Sequence, residues 1–229
     1  MPANGERRFG GLRPSEVSEA LLLTLIAGFI DAVGFLRLGG IYIANMSGNS
    51  VAIGIHSASG VWAEAGERCL PVVFYVAGLI VSRTMIHAER ERRLEKVSVS
   101  PLILEMILLF LFIRVAPRNL AIGLGAFAMG VQAAAITRFN QIPVHTAFVT
   151  GSLVKMADRL VAGTREKDPV ERKLAFQQST WFLGLWIAYV LGAIGGAGAF
   201  QNRGVSVVYW TFPLLAALAA FHLFRREGG

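Results

Sequence analysis

Ser47-Gly48-Asn49 and Thr150-Gly151-Ser152 are the residues of this chain whose types and spacing best suit the binding of a small molecule. Each is a hydroxyl–glycine–polar triplet, and each closes a stretch that occurs twice. Gly28 to Val51 reads GFIDAVGFLRLGGIYIANMSGNSV, and Gly130 to Val154 reads GVQAAAITRFNQIPVHTAFVTGSLV. In both, a short stretch, Ile41-Tyr42-Ile43-Ala44 or Pro143-Val144-His145-Thr146, leads into the triplet, and apolar residues follow. A Ser or Thr where a helix begins caps free backbone N–H groups. The glycine behind it lets backbone or ligand approach closely. A helix N-terminus buried at membrane depth presents unpaired donors and a partial positive charge, so two facing one another favour an anion or an electron-rich polar group. A single triplet would read as an ordinary cap or packing contact. Its recurrence in both halves favours a binding site formed by Asn45, Ser47, Gly48, Asn49, Thr150, Gly151 and Ser152.

Three more polar residues belong with that site. Gln132 sits on a helix otherwise lined by Ala and Gly, where it either contacts a solute or bridges two helices. His145 and Thr146 precede the second triplet. His145 is either a pH-sensitive contact or a group satisfying broken backbone. As the only histidine near the site, it makes a histidine-built metal centre an unfavourable reading. Two carboxylates interrupt apolar runs. Asp31 lies in the middle of the first hydrophobic segment, where an ionised carboxylate is costly unless paired. It is a candidate for proton coupling, or else a hydrogen-bonding pin for the broken segment. Glu105, in Leu102-Ile103-Leu104-Glu105-Met106-Ile107, is a second proton-coupling candidate if it faces the interior. In a segment this short, snorkelling to a membrane end is the favoured alternative.

The elements that must hold these residues are apolar helices. Of 229 residues 54% are hydrophobic and 16% charged, well below the quarter or so usual in soluble proteins. The charges cluster at Glu6 to Arg13, Glu89 to Lys96, Arg165 to Lys173 and Arg225 to Glu227. The net charge of +7 therefore reads as membrane topology, and nucleic acid is not expected as a partner. Cys69 is the only cysteine, which excludes an intramolecular disulfide and a cysteine-rich metal site. No GxSxG, HExxH or clustered acid–histidine set is present, so neither enzymatic activity nor a cofactor is expected.

Eight apolar segments follow: Ala20–Leu38, Ile41–Ser57, Leu70–Ile86, Pro101–Val115, Asn119–Thr137, Pro143–Leu160, Phe176–Phe200 and Val205–Phe224. If the second and sixth enter without crossing, all the basic clusters fall on one side. That arrangement predicts an all-α polytopic membrane protein with six transmembrane helices and two broken or re-entrant segments. Both termini are then cytoplasmic, in a bacterial inner membrane. A cytoplasmic arm spans 1–17, a first repeat 18–116 and a second repeat 117–226, all within a single membrane domain. Three crossings per half invert one repeat relative to the other. Val76-Ala77-Gly78-Leu79-Ile80 and Val190-Leu191-Gly192-Ala193-Ile194 are matching small-residue stretches in the second crossings and suit close packing. Arg165 to Lys173 reads as a solvated loop, and Gly192 to Gly198 as a face that could pack against another copy in a homo-oligomer.

At Gly28-Phe29-Ile30-Asp31-Ala32, Asn45-Met46-Ser47-Gly48-Asn49 and Val149-Thr150-Gly151 the chain resembles the YoaK-like family of bacterial membrane proteins, which carries a domain-of-unknown-function designation. The likeness runs from about Ser18 to Phe224. It implies a six-helix membrane protein and no settled activity. One departure is that Gln132 is followed by Ala133-Ala134, where the family commonly has Gln-Asn-Ala. The function expected from the whole is a secondary transporter or uptake facilitator for a small polar, perhaps anionic, solute. A passive channel and a structural or regulatory membrane protein are the alternatives.

Overall fold

The structure, a computed structural model, describes residues 14–91, 99–136 and 149–227. His145 and Thr146 lie outside the described residues. Among the described residues eight α-helices form: α1 (Pro14–Arg37), α2 (Met46–Ala58), α3 (Trp62–Glu91), α4 (Ser100–Arg114), α5 (Arg118–Ile136), α6 (Val149–Arg165), α7 (Pro169–Arg203) and α8 (Phe212–Glu227). A 3-10 helix at Gly204–Thr211 joins the last two. No strand occurs among the described residues.

This is a membrane protein. Val17–Arg37, Trp62–Ala88 and Pro169–Leu223 are long and apolar enough to cross a bilayer. Val73, Val76, Ile103, Ile107, Leu191 and Ile194 are exposed, an outward apolar surface that suits lipid.

Glycine decides which helices pair. α1 packs most heavily on α7, and α3 on α5. A methyl group on Gly28 would overlap the Tyr189 carbonyl, and one on Gly192 the Leu25 carbonyl and Phe29 nitrogen. One on Gly130 would overlap the Tyr75 carbonyl, and one on Gly78 the Phe127 carbonyl and Val131 nitrogen. Four of these glycine contacts match between the two helix pairs. Gly28 corresponds to Gly130, Gly192 to Gly78, and Tyr189 to Tyr75. Each pair of helices runs in one direction, since Gly192 and Gly196 meet Leu25 and Phe29 in order, and Phe74 and Gly78 meet Gly123 and Phe127 in order. The matching small-residue stretches thus pack as their sequence suggests. Gly192 and Gly196, expected on a face free for another copy, are instead occupied by α1 of the same chain.

Arginines close one end of the molecule. Arg37 donates to the Phe112 carbonyl and to that of Val115 (2.6 Å), completing the C-terminus of α4. Arg68 donates to the Gly40 carbonyl. Arg118 reaches Glu67 at 2.6 Å and the Leu38 carbonyl at 2.7 Å. The ends of α1 and α4 and the starts of α3 and α5 therefore meet here, and His56 near the end of α2 pairs with Glu64 at 3.1 Å. Cations on exposed helix C-terminal carbonyls satisfy orphan acceptors.

Two boundaries differ from expectation. Arg165 to Lys173 is not a loop: α6 runs to Arg165, and Asp168 caps α7 by accepting from the Val170 N–H at 2.8 Å, with Pro169 in the first turn. α7 then continues for 35 residues. α1 already begins at Pro14, inside the stretch read as an arm.

Gly192→Ala is expected to destabilise the protein by about 2 kcal/mol, because the opposing backbone must move. Gly66→Ala, where nothing lies within 4 Å, should hold or gain stability. Thermal unfolding in detergent compares the two.

Candidate functional site

The site is built around the break after α1. Gly39 (φ 63°) and Gly40 (φ 89°) take left-handed conformations that turn the chain back towards the helix it has just left. The Gly40 N–H donates to the Phe35 carbonyl at 2.8 Å. Residues 41–45 then run non-helically through the core. Ile43 fills the notch left by Gly34 and reaches Gly125, while Tyr42 packs its ring on Phe35 with centroids 4.6 Å apart.

Non-helical backbone in an apolar interior needs partners for its amides. Asp31, 3% exposed, supplies them. Its Oδ1 accepts from the Ile43 N–H at 2.9 Å and the Ala44 N–H at 2.7 Å. Its Oδ2 accepts from the Tyr189 hydroxyl at 2.6 Å, which ties the segment to α7. Asn49, fully buried, completes the fixation: the Tyr42 N–H donates to its Oδ1 at 3.2 Å, and its Nδ2 donates to the Tyr42 carbonyl at 2.7 Å. A side-chain amide thereby substitutes for a partner strand.

The cap of α2 is Asn45, not Ser47. Asn45 Oδ1 accepts from the Gly48 N–H at 3.3 Å and from the Ser47 hydroxyl at 2.7 Å. Ser47 is left exposed in the first turn, and Gly48 is required because a side chain there would strike the Tyr42 ring.

Ser47 and Thr150, a hundred residues apart in sequence, line one cavity of about 940 Å³. Met46 and Ser47 come from α2, Ala133 from α5 and Thr150 from the first turn of α6. α3 contributes a stripe from Tyr75 through Leu79, Ile80, Arg83 and Thr84 to His87. Sequence reasoning missed this stripe. Tyr75, Leu79 and Arg83 recur at four-residue spacing, a signal that was legible but gave no hint of the cavity. Gly151 lies partly exposed beside Thr150, and Ser152 is buried. α6 is held to α7 by the Ser179 hydroxyl, which donates to the Met156 carbonyl at 2.9 Å.

Gln132 and Glu105 stand apart from this cavity. Both are fully buried, and among the described residues neither the carboxyl oxygens of Glu105 nor the amide atoms of Gln132 have a hydrogen-bond partner. Phe112 of α4 packs on Gly125 of α5. Two turns along each helix, Glu105 lies on the same face of α4 as Phe112, and Gln132 on the same face of α5 as Gly125. Snorkelling of Glu105 is overturned, because the residue is fully buried. Among the described residues, no group of three or more His, Cys, Asp or Glu could hold a metal ion.

A family model described as "Protein of unknown function (DUF1275)" matches residues 20–222. The chain is 26% identical over 180 residues to the UPF0700 transmembrane protein YoaK of Bacillus subtilis (strain 168), across 76% of this chain and 79% of that protein. No solved structure matches.

Asp31→Ala should destabilise the fold by roughly 3 kcal/mol or more, since it orphans two buried N–H groups and a hydroxyl at once. Tyr189→Phe, which leaves the Asp31 bonds to Ile43 and Ala44 in place, should cost only about 1 kcal/mol. Unfolding midpoints of the purified variants would reverse this reading if Tyr189→Phe proved the more damaging.

Proposed function

The chain belongs to the DUF1275 family, and we propose that it is a small secondary transporter for a small polar, anionic solute in a bacterial inner membrane. The observation that carries this reading is the meeting of Ser47 and Thr150, each in the first turn of its helix, at one cavity of about 940 Å³. That size suits a small ligand with much of its surface buried.

In this reading the chain forms two inverted repeats with six crossings and cytoplasmic termini. α2 and α6 belong to the two re-entrant segments. Three features support it. The glycine crossings α1–α7 and α3–α5 correspond in these four contacts, as two repeats related by an in-plane axis require. α2 begins beside Asp31 and ends beside Glu64, at the end of the molecule where α1 also ends, so it returns to the side it came from. The basic clusters then fall on one face. The cavity follows α3 towards that basic, cytoplasmic side, while Arg37, Arg68 and Arg118 bind carbonyls at the opposite end. Such an asymmetry is what alternating access needs: one end is held by polar contacts that can break, and a cavity reaches the other. Asp31 has both oxygens committed to structure, which leaves Glu105 as the candidate for proton coupling.

Cysteine accessibility in a Cys69→Ser background tests the reading. Ala58→Cys should label only from outside and Gly163→Cys only from the cytoplasm. Ser47→Cys and Thr150→Cys should react with a charged, impermeant thiol reagent from the cytoplasmic face. Reaction from the outer face should rise severalfold when Arg118→Ala removes the closing contacts. Flanks of α2 that label from opposite faces would end the re-entrant design, and equal reaction from both faces without the Arg118 change would make the protein a passive channel.

A further inference from the structure

The correspondence between the two glycine crossings extends one residue set further, and there it fails. Tyr189 follows the backbone that Gly28 contacts, and its hydroxyl is bound to the carboxylate of Asp31, three residues after Gly28. Tyr75 stands in the matching place against Gly130, and three residues after Gly130 the chain has Ala133. Tyr75 is 6% exposed and Ala133 is 3% exposed, and both line the cavity. Among the described residues no hydrogen bond reaches the Tyr75 hydroxyl. The first half thus carries its own carboxylate on a tyrosine. The second half offers the tyrosine with a methyl group opposite and a cavity beside it.

We propose that the cavity binds a small carboxylate, whose carboxyl group takes on Tyr75 the place that Asp31 takes on Tyr189. This rests on the transport reading and names the class of solute. The surroundings suit an anion. The first turns of α2 and α6, at Ser47 and Thr150, bring their partial positive charge to the cavity. The charge of Asp31, which also reaches Tyr75, is held by three donors. Leu79 and Ile80 give the body of the solute an apolar wall, so a carboxylate with a short hydrocarbon or aromatic body fits better than a compact inorganic anion.

The test compares isosteres. Butyrate and benzoate are titrated against butyramide and benzamide, with the thermal stability of the purified full-length protein as readout. The carboxylates should raise the unfolding temperature and the amides should not. Tyr75→Phe should weaken the carboxylate response about tenfold or more, the effect of losing a hydrogen bond to a charged group. Ala133→Asp should abolish the response of the folded protein, because its own carboxyl takes the place on Tyr75 that Asp31 takes on Tyr189. An equal response to amides, a folded Ala133→Asp protein that still responds, or no carboxylate response at all would overturn the proposal. Ala133→Cys in the Cys69→Ser background separates this from the broader reading. If it reacts with an impermeant thiol reagent while carboxylates have no effect, the solute cavity stands and only the carboxylate falls. If it does not react from either face, the cavity and the transport reading fall together.

Discussion

The carboxylate of Asp31 is the interaction on which the rest of the site depends. A helix can be broken inside an apolar protein only if the freed amides find acceptors there, since water cannot supply them. Asp31 gives two, to Ile43 and Ala44, from a single oxygen. Its other oxygen takes the Tyr189 hydroxyl, and that hydroxyl is in reach only because Gly28 lets the backbone of α7 come against α1. The order of dependence is therefore clear. Close helix packing places the tyrosine, the tyrosine orients the carboxylate, and the carboxylate holds the extended segment. The segment fixes Asn45 where it can cap α2, and Ser47 reaches the cavity as a consequence.

Much of this was legible in the chain itself. Hydrophobic segments gave the helices, and the doubled motif pointed to the two helix starts that meet. Gly78 and Gly192 were recognisable as packing residues because each lies in a small, apolar stretch with a counterpart. The choice of cap was not legible. Asn45 and Ser47 are both good capping residues, and the matter is decided by Asp31, which is remote in sequence and sets where the extended segment stops. The start of α7 was legible and outweighed. Asp168-Pro169 with Glu171 in the first turn is a helix-start signal, but the density of charge around it argued for a loop. A long helix that projects beyond the apolar layer satisfies both.

The glycines of α7 show how the same pattern serves different ends. A run from Gly192 to Gly198 could as well face a second subunit as a neighbouring helix, and composition does not distinguish them. Direction does. Gly192 and Gly196 are a turn apart and meet Leu25 and Phe29, likewise a turn apart, so one stripe matches one helix in the same chain. Gly198 falls off that stripe, with nothing within 4 Å. Residues that share a composition are thus divided by their angular position into those that pack and those that do not.

Asp31 and Glu105 make the corresponding point for charge. Both are acidic, both interrupt apolar runs, and both are buried. Burial alone therefore says nothing about their roles. Their partners separate them. Asp31 has three donors, and removing it would break structure before it touched any chemistry. Among the described residues Glu105 has no hydrogen-bond partner, and Gln132 on α5 is equally unmatched. Unmatched polar groups on α4 and α5 cost stability that apolar groups of the same shape would not. In the first carboxylate the cost of burial is offset by the fold it holds together. In the second no bond visible in the structure offsets it, and the α4–α5 hairpin is packed well enough, through Phe112 on Gly125 and Arg37 on the end of α4, to sustain both groups.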